Sequence, residues 1–354
     1  MSELRVIDVD GHLAEPPGIW GRYLDARYQD FAPRWVRDNQ GRRRLLVGGE
    51  LKAYVPFPPG PALIDTTEQH DAKTRLADMD REGIERMAMY PTVGLFFFGI
   101  ERLDVTVALC RAYNDWTHDY CSASPDRLLA PVLLPQQDVM ESVAELRRGI
   151  DELGARGAML RPNPIGGRTL DHPAFEPLWE ALEEAGVPLV LHEGTTQDVP
   201  QLGSDRYENY LFRHMLSHPF EQQAALLSLI CGGVLDRHPG LRVLIVEAGL
   251  AWVPYWLERM DHHVEKWSYT NTPLSLTPTE YFRRQCFVSA DAEEKLLPFV
   301  IQAIGDDNLC FSTDYPHPDH DFKGIVAGLA ERSDLGPDSK RKILGENAAR
   351  LFGL

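Results

Sequence analysis

The chain has 354 residues, 44% of them hydrophobic and 25% charged, a globular composition that excludes disorder as the main state. Its 36 Lys and Arg stand against 53 Asp and Glu, a formal charge of -17 that repels phosphate backbones and anionic lipid, so nucleic acid and membrane surfaces are not expected partners. No run reaches the ~20 apolar residues of a membrane helix, and the opening residues Met1 to Arg5 lack the apolar centre of a signal peptide. The five cysteines, Cys110, Cys121, Cys231, Cys286 and Cys310, form neither a CxxC pair nor an even framework, which points to a reducing, cytoplasmic setting.

Short β-branched runs alternate with stretches of helical periodicity, the rhythm of a parallel sheet. The predicted strands are Leu4 to Asp10, Arg86 to Thr92, Leu128 to Pro135, Gly157 to Pro162, Pro188 to His192, Leu241 to Glu247, Gln285 to Ala290 and Leu309 to Asp314. Helices are predicted over Leu103 to Ser122, Val139 to Leu153, Ala174 to Ala185, Glu221 to Leu235 and Asp338 to Phe352. Eight such units predict an α/β fold, a closed (β/α)8 TIM barrel, which takes ~250 residues and leaves roughly a hundred for insertions after strands 1, 5 and 6. The first insertion, 11–67, contains a β-hairpin from Arg42 to Val55 around Gly48 and Gly49; the others run from Gly194 to Pro219 and from His262 to Thr279. No repeat or linker divides the chain, so 1–354 is expected to be one domain.

Alternation along strand 1 puts Asp8, Asp10 and His12 on one face. Barrel interiors are normally filled by Val, Ile and Leu, so three polar groups there need either a hydrogen-bonded network or a cation. His192 ends strand 5, Glu247 strand 6 and Asp314 strand 8, while Asp291 follows strand 7. All converge on the C-terminal rim, where barrel enzymes keep their active sites. Such a set can hold one divalent ion and leave a position open, and the expected ligands are Asp10, His12, His192 and Asp314.

Glu247 is read either as an acid–base group or as a buried partner of Arg259. His214 and His218 are spaced for one helical face, but Pro219 follows, so a dedicated zinc pair is not expected, and His218 alone is expected to face the pocket. Arg161, ending strand 4, has the planar fork to clamp a substrate carboxylate. His317 near the rim is read as a hydrogen-bonding contact to a ligand or substrate, and Glu193 as structural. The run Phe96, Phe97, Phe98 is expected to give the mouth an apolar wall suited to a flat substrate.

The segments IDVDGHLAEP, RLADMDREGIERMAMYPT, LVLHEG, HPFEQQAALLSLICGGVLDRHPGLRVLIVEAGLAWVPYWLERMD and FSTDYPHPD, in this order, resemble the amidohydrolase-related family from about Val6 to Phe352. Its decarboxylase branch includes aminocarboxymuconate-semialdehyde decarboxylase and the γ-resorcylate-type aromatic-acid decarboxylases. The resemblance implies a (β/α)8 barrel with one Zn or Mn ion at the positions matching Asp10, His12, His192 and Asp314. Two departures stand out: Asp10-Gly11-His12 replaces the His-x-His or Glu-x-His of strand 1, and Glu247 stands where the decarboxylases carry a strand 6 histidine.

The activity implied is nonoxidative decarboxylation of a small aromatic or enoic carboxylic acid, with Asp314 or Glu247 supplying the proton and His218 beside them. Metal-dependent hydrolysis of a small cyclic amide, an ester or an activated C–C bond uses the same parts. A barrel that binds without catalysis is the reading of another class. Self-association into a homo-oligomer is left open.

Overall fold

Runs such as Leu189-Val190-Leu191 and Val243-Leu244-Ile245 carry apolar side chains on both faces, and all six residues are fully buried, as strands covered on both sides must be. The computed structural model describes residues 4–52, 71–196, 198–270, 273–317 and 322–354. Its strands in chain order are β1 (Ile7–Leu13), β2 (Arg34–Arg37), β3 (Arg43–Val47), β4 (Glu50–Leu51), β5 (Arg86–Pro91), β6 (Leu128–Leu129), β7 (Val132–Leu133), β8 (Ala158–Leu160), β9 (Leu189–Leu191), β10 (Val243–Ile245), β11 (Cys286–Asp291) and β12 (Leu309–Ser312).

β1, β5 and β6 pair in parallel, and β7 to β12 follow one another in parallel. β6 and β7 are the two halves of the strand predicted over Leu128 to Pro135, broken where Pro131 has no N–H to give the ladder. The ring closes through two backbone bonds that bring the last strand to the first: Asp314 N donates to Asp10 O and His12 N to Tyr315 O, each at 2.7 Å. The (β/α)8 barrel is therefore present with all of its predicted staves.

Three local features differ from the sequence expectation. First, the pairing of β1 with β5 slips between Asp8 and Gly11, a bulge that interrupts strict alternation. Gly11 fits there because a Cβ would meet Met87 Sδ at 2.6 Å. Second, the helix predicted from Glu221 spans Tyr210–Cys231, with Pro219 inside it. An interior proline costs about 3 kcal/mol, but Asn209 caps the first turn and the face carrying Ser217, His218, Glu221 and Gln222 is buried. Gln222 Nε2 also donates to Leu191 O at 2.7 Å, and this packing carries the helix through the proline. Third, Phe97 and Phe98 are buried in the core, with Phe97 edge-on to Trp20; they do not wall the mouth.

The strand 1 insertion forms a three-stranded antiparallel sheet, β2-β3-β4, turning at Gly48 and Gly49, both at positive φ. Its predicted end, Ala53 to Val55, and the rest of the insertion to residue 67 lie outside the described residues. Much of the stretch read as an insertion after strand 6 is helical, since the helix Trp252–Trp267 runs into it. Among the described residues no helix is long and apolar enough to cross a membrane.

Candidate metal centre

The bulge in β1 divides its polar residues between two tasks. The Asp8 carboxylate stays below the mouth, accepting from Thr313 Oγ1 at 2.5 Å and from the backbone N–H groups of Asp10 and Thr313 at 3.0 and 3.2 Å. It ties β1 to the residue after β12. Asp10 and His12 face the mouth. Arg75, which drew no attention in the sequence, secures the same seam: its guanidinium donates to His12 O and Tyr315 O at 2.5 and 3.0 Å.

His12 and His192 meet from opposite sides of the ring. Each gives its Nδ1–H to a carbonyl, His12 to Pro91 O at 3.1 Å and His192 to Glu193 O at 2.6 Å. This fixes the tautomer, so both Nε2 atoms carry lone pairs, and they face each other at 2.9 Å. Two lone pairs at that distance repel unless a cation lies against both. The surroundings ask for the same thing. Asp10 Oδ1 is buried without a hydrogen-bond partner, 3.5 Å from His192 Nε2 and 3.8 Å from His12 Nε2. Asp314 Oδ1 lies 3.3 Å from His12 Nε2. Burial, with His317 and His192 nearby, holds His12 well below the usual histidine range. Burial also works against charge on His192, but Asp10 and Glu247 outweigh it and hold that ring up at about 9. A proton can meet this demand in part. A divalent ion meets it fully, since imidazole nitrogens and carboxylate oxygens are the donors Zn and Mn take. The ligand atoms of Asp10, His12 and His192 lie within 4.8 Å of one another, as do those of His12, Asp314 and His317.

Glu247 and Asp314 each stand two residues beyond the ends of β10 and β12, and both are left-handed, with φ of 52° and 54°. These are the only non-glycine residues at positive φ among the described residues. The conformation costs of order 1–3 kcal/mol and turns each carboxylate back over the mouth. Glu247 places Oε2 3.5 Å from His192 Nε2 and Oε1 3.4 Å from His218 Nε2, which leaves no pairing with Arg259. Burial pushes the Glu247 carboxyl up, yet His218, His192 and His317 together hold it well below the usual range. His218 shows the reverse: burial opposes its charge, and Glu247 raises it. Each group of the pair thus favours the charged form of the other.

His214 stacks on His218 at 4.2 Å, and with Glu247 the two bring ligand atoms within 4.8 Å. A cavity of about 250 Å³ opens over all of this, lined by Asp10, His214, His218, Glu247, Asp291 and Asp314 among others.

Two expectations are corrected. Arg161 is fully buried, and every N–H of its guanidinium already has an acceptor: Asn163 Oδ1, Leu95 O, Thr196 Oγ1, Glu193 Oε1 and Gly194 O. It has nothing left for a substrate carboxylate. His317 stacks on His12 at 3.9 Å, its Nδ1 2.9 Å from Asp314 Oδ1 and its Nε2 3.1 Å from Thr92 Oγ1. Both ring nitrogens are engaged, so it positions Asp314 rather than reaching a substrate.

The family model described as Amidohydrolase matches residues 7–354. The chain is 27% identical over 287 residues to the 2-amino-3-carboxymuconate-6-semialdehyde decarboxylase of Dictyostelium discoideum, covering 80% of this chain and 77% of that protein. It is 30% identical over 301 residues to the gamma-resorcylate decarboxylase of Rhodococcus jostii RHA1, covering 79% and 87%. Among solved structures, an amidohydrolase of Mycobacterium avium subsp. paratuberculosis K-10 superposes with a TM-score of 0.84 over 100% of both chains at 25% identity. A dihydroxybenzoic acid decarboxylase of Polaromonas sp. JS666, solved with manganese and the inhibitor 2-nitroresorcinol, gives 0.71 over 99% and 97% at 22% identity.

Proposed function

The chain belongs to the amidohydrolase family, and from that premise we propose that it is a metal-dependent enzyme that removes CO2, without oxidation, from a small aromatic or enoic carboxylic acid. Asp10, His12, His192 and Asp314 would hold one Zn or Mn ion. When bound, such an ion supplies a Lewis acid that holds a carboxylate with a neighbouring oxygen and steadies negative charge as CO2 departs.

The observation that carries the reading is the Glu247–His218 pair, 3.4 Å apart on the cavity wall. Loss of CO2 leaves an electron pair on carbon that must be met by a proton. Ionised Glu247 keeps that proton on His218 Nε2, which faces the cavity. His218 delivers it to the carbon, and solvent restores it for the next turnover. His218 thus takes the part of the strand 6 histidine that Glu247 displaces, and Glu247 becomes its positioning residue. His317 holds Asp314 in place, so Asp314 serves the ion before it serves proton transfer.

Hydrolysis of a small cyclic amide or ester is the second reading, favoured by the ionised state of Glu247, which can accept a proton from water. CO2 release from hydroxybenzoic and enoic acids by metal-loaded protein, with His218→Asn as comparison, separates the two. Release that falls at least about 100-fold in the variant is expected for a lost general acid. No release from any acid, with turnover of esters or lactams instead, would overturn decarboxylation.

A further inference from the structure

The helix Tyr210–Cys231 continues through Pro219, so His214 and His218, four residues apart, share one face and stack with ring centroids 4.2 Å apart. A break at Pro219 would have spoilt this pair; the packing that carries the helix onward preserves it. His218 Nδ1 lies 3.2 Å from His214 O and 3.2 Å from Ser217 Oγ. A carbonyl only accepts, so Nδ1 carries a proton, and Nε2 is the nitrogen turned to Glu247 Oε1 at 3.4 Å. Donors around a tetrahedral zinc, each about 2.0–2.1 Å from the ion, stand roughly 3.3–3.4 Å from one another.

One donor atom from each of His214, His218 and Glu247 falls within 4.8 Å of the others, a group separate from that of Asp10, His12 and His192. Glu247 faces both groups, because its other oxygen, Oε2, is 3.5 Å from His192 Nε2. Two-metal sites hold their ions about 3.5–4 Å apart, and a carboxylate with one oxygen on each side spans that gap. The charge of the cavity points the same way. Asp10, Glu247, Asp291 and Asp314 line it, with no Lys or Arg among the described lining residues. None occurs at 1–3, 53–70, 197, 271–272 or 318–321 either, so those stretches bring no cation. One divalent ion balances only two of the four carboxylates.

We propose that His214, His218 and Glu247 bind a second divalent ion, of the zinc class, beside the first. Two imidazole nitrogens and a carboxylate are a zinc donor set, and three protein ligands leave a fourth position open to the cavity. The effect on turnover rests on the decarboxylase reading. His218 Nε2 carries a proton or an ion but not both, so zinc in excess of the first ion removes the general acid and stops CO2 release.

Calorimetric titration of zinc into protein already carrying one zinc per chain tests this, using wild type, His214→Asn and His214→Asp, with bound metal counted by plasma mass spectrometry. Wild type is expected to take up one further zinc. His214→Asn should keep the first ion and bind the second at least about 100-fold more weakly, since partners standing behind metal ligands already carry roughly 10–100-fold. His214→Asp, which restores an oxygen donor, should recover part of that affinity. A wild type that saturates at one zinc overturns the proposal, as does a second zinc bound equally by wild type and His214→Asn. Loss of the first ion in His214→Asn, with no recovery in His214→Asp, marks a structural histidine and overturns it as well. CO2 release is scored separately: it should fall at least about 100-fold in wild type as the second zinc binds, the scale of a lost general acid, and stay level in His214→Asn at the same zinc concentration. A His214-dependent second zinc that leaves CO2 release unchanged overturns the exclusion of proton by ion, and one in a protein that decarboxylates no acid overturns the reaction class alone; the metal site stands in both.

Discussion

His192 and Glu193 are neighbours in sequence, both fully buried, and they belong to opposite kinds of polar cluster. Glu193 Oε1 takes hydrogen bonds from Arg161, Asn163 and Gln201, and the guanidinium of Arg161 spends all its donors within the fold. One cation there meets one anion. On the other side of the backbone, His192 looks onto His12, Asp10 and Glu247, a group rich in carboxylates whose two imidazole nitrogens face each other. Burial and charged side chains are common to both clusters. What distinguishes a site from a brace is how charge is matched: the Glu193 carboxylate keeps one buried oxygen without a hydrogen-bond partner but has the Arg161 guanidinium against it, whereas the His192 side gathers carboxylates around two facing imidazoles with no guanidinium or ammonium among the described residues.

Three experiments press on this contrast. The largest effect is expected from Asp314→Asn, a substitution that keeps a residue tolerant of positive φ. Wild type should carry about one Zn or Mn per chain and the folded variant less than about a tenth of that by plasma mass spectrometry, as expected when an anionic ligand becomes neutral. Equal metal content in the two would erase the distinction between the clusters.

Next, Arg161→Met should cost about 3–5 kcal/mol of stability, because it leaves Glu193 buried and uncompensated, with metal content per folded chain unchanged. Denaturant midpoints measure the loss, and adding Glu193→Gln should recover part of it. A drop below about 1 kcal/mol would mean that the brace is not one.

The smallest effect concerns Glu221, at the edge of the braced cluster. Burial, with Glu193 nearby, lifts its carboxyl to about 7 from an ordinary 4.5. The folded chain therefore binds a proton that the unfolded chain releases. The stability so gained is full below about pH 4.5 and is lost as pH rises through about 7. Relative to Glu221→Gln, wild type should lose about 2–3 kcal/mol between about pH 5 and pH 8. Parallel stability curves for the two proteins would contradict this.

The sequence was most informative where the signal is local. Strand runs, helix periods and the acids and histidines at strand ends are set by near neighbours, and these located the barrel and brought Asp10, His12, His192, Glu247 and Asp314 to one rim. The errors fall where the answer depends on distant backbone. Arg161 is claimed by the carbonyls of Leu95 and Gly194, far from it in the chain, and no spacing rule reveals that. The helix passes through Pro219 because tertiary packing outweighs a local penalty. The bulge that sends Asp8 to Thr313 is a property of pairing, not of strand 1 alone.

The closing bonds between Asp10 and Asp314, and between His12 and Tyr315, also set when the site can exist. Its donors come from the first strand and from a residue two beyond the end of the last, so during synthesis the ribosome must deliver every strand of the barrel before Asp314 can meet Asp10 and His12. A truncated product that stops short of Asp314 lacks that donor. Metal capture would then report closure of the ring, and because an ion held across the seam would favour the closed ring over any opened form, loading and closure would become one event.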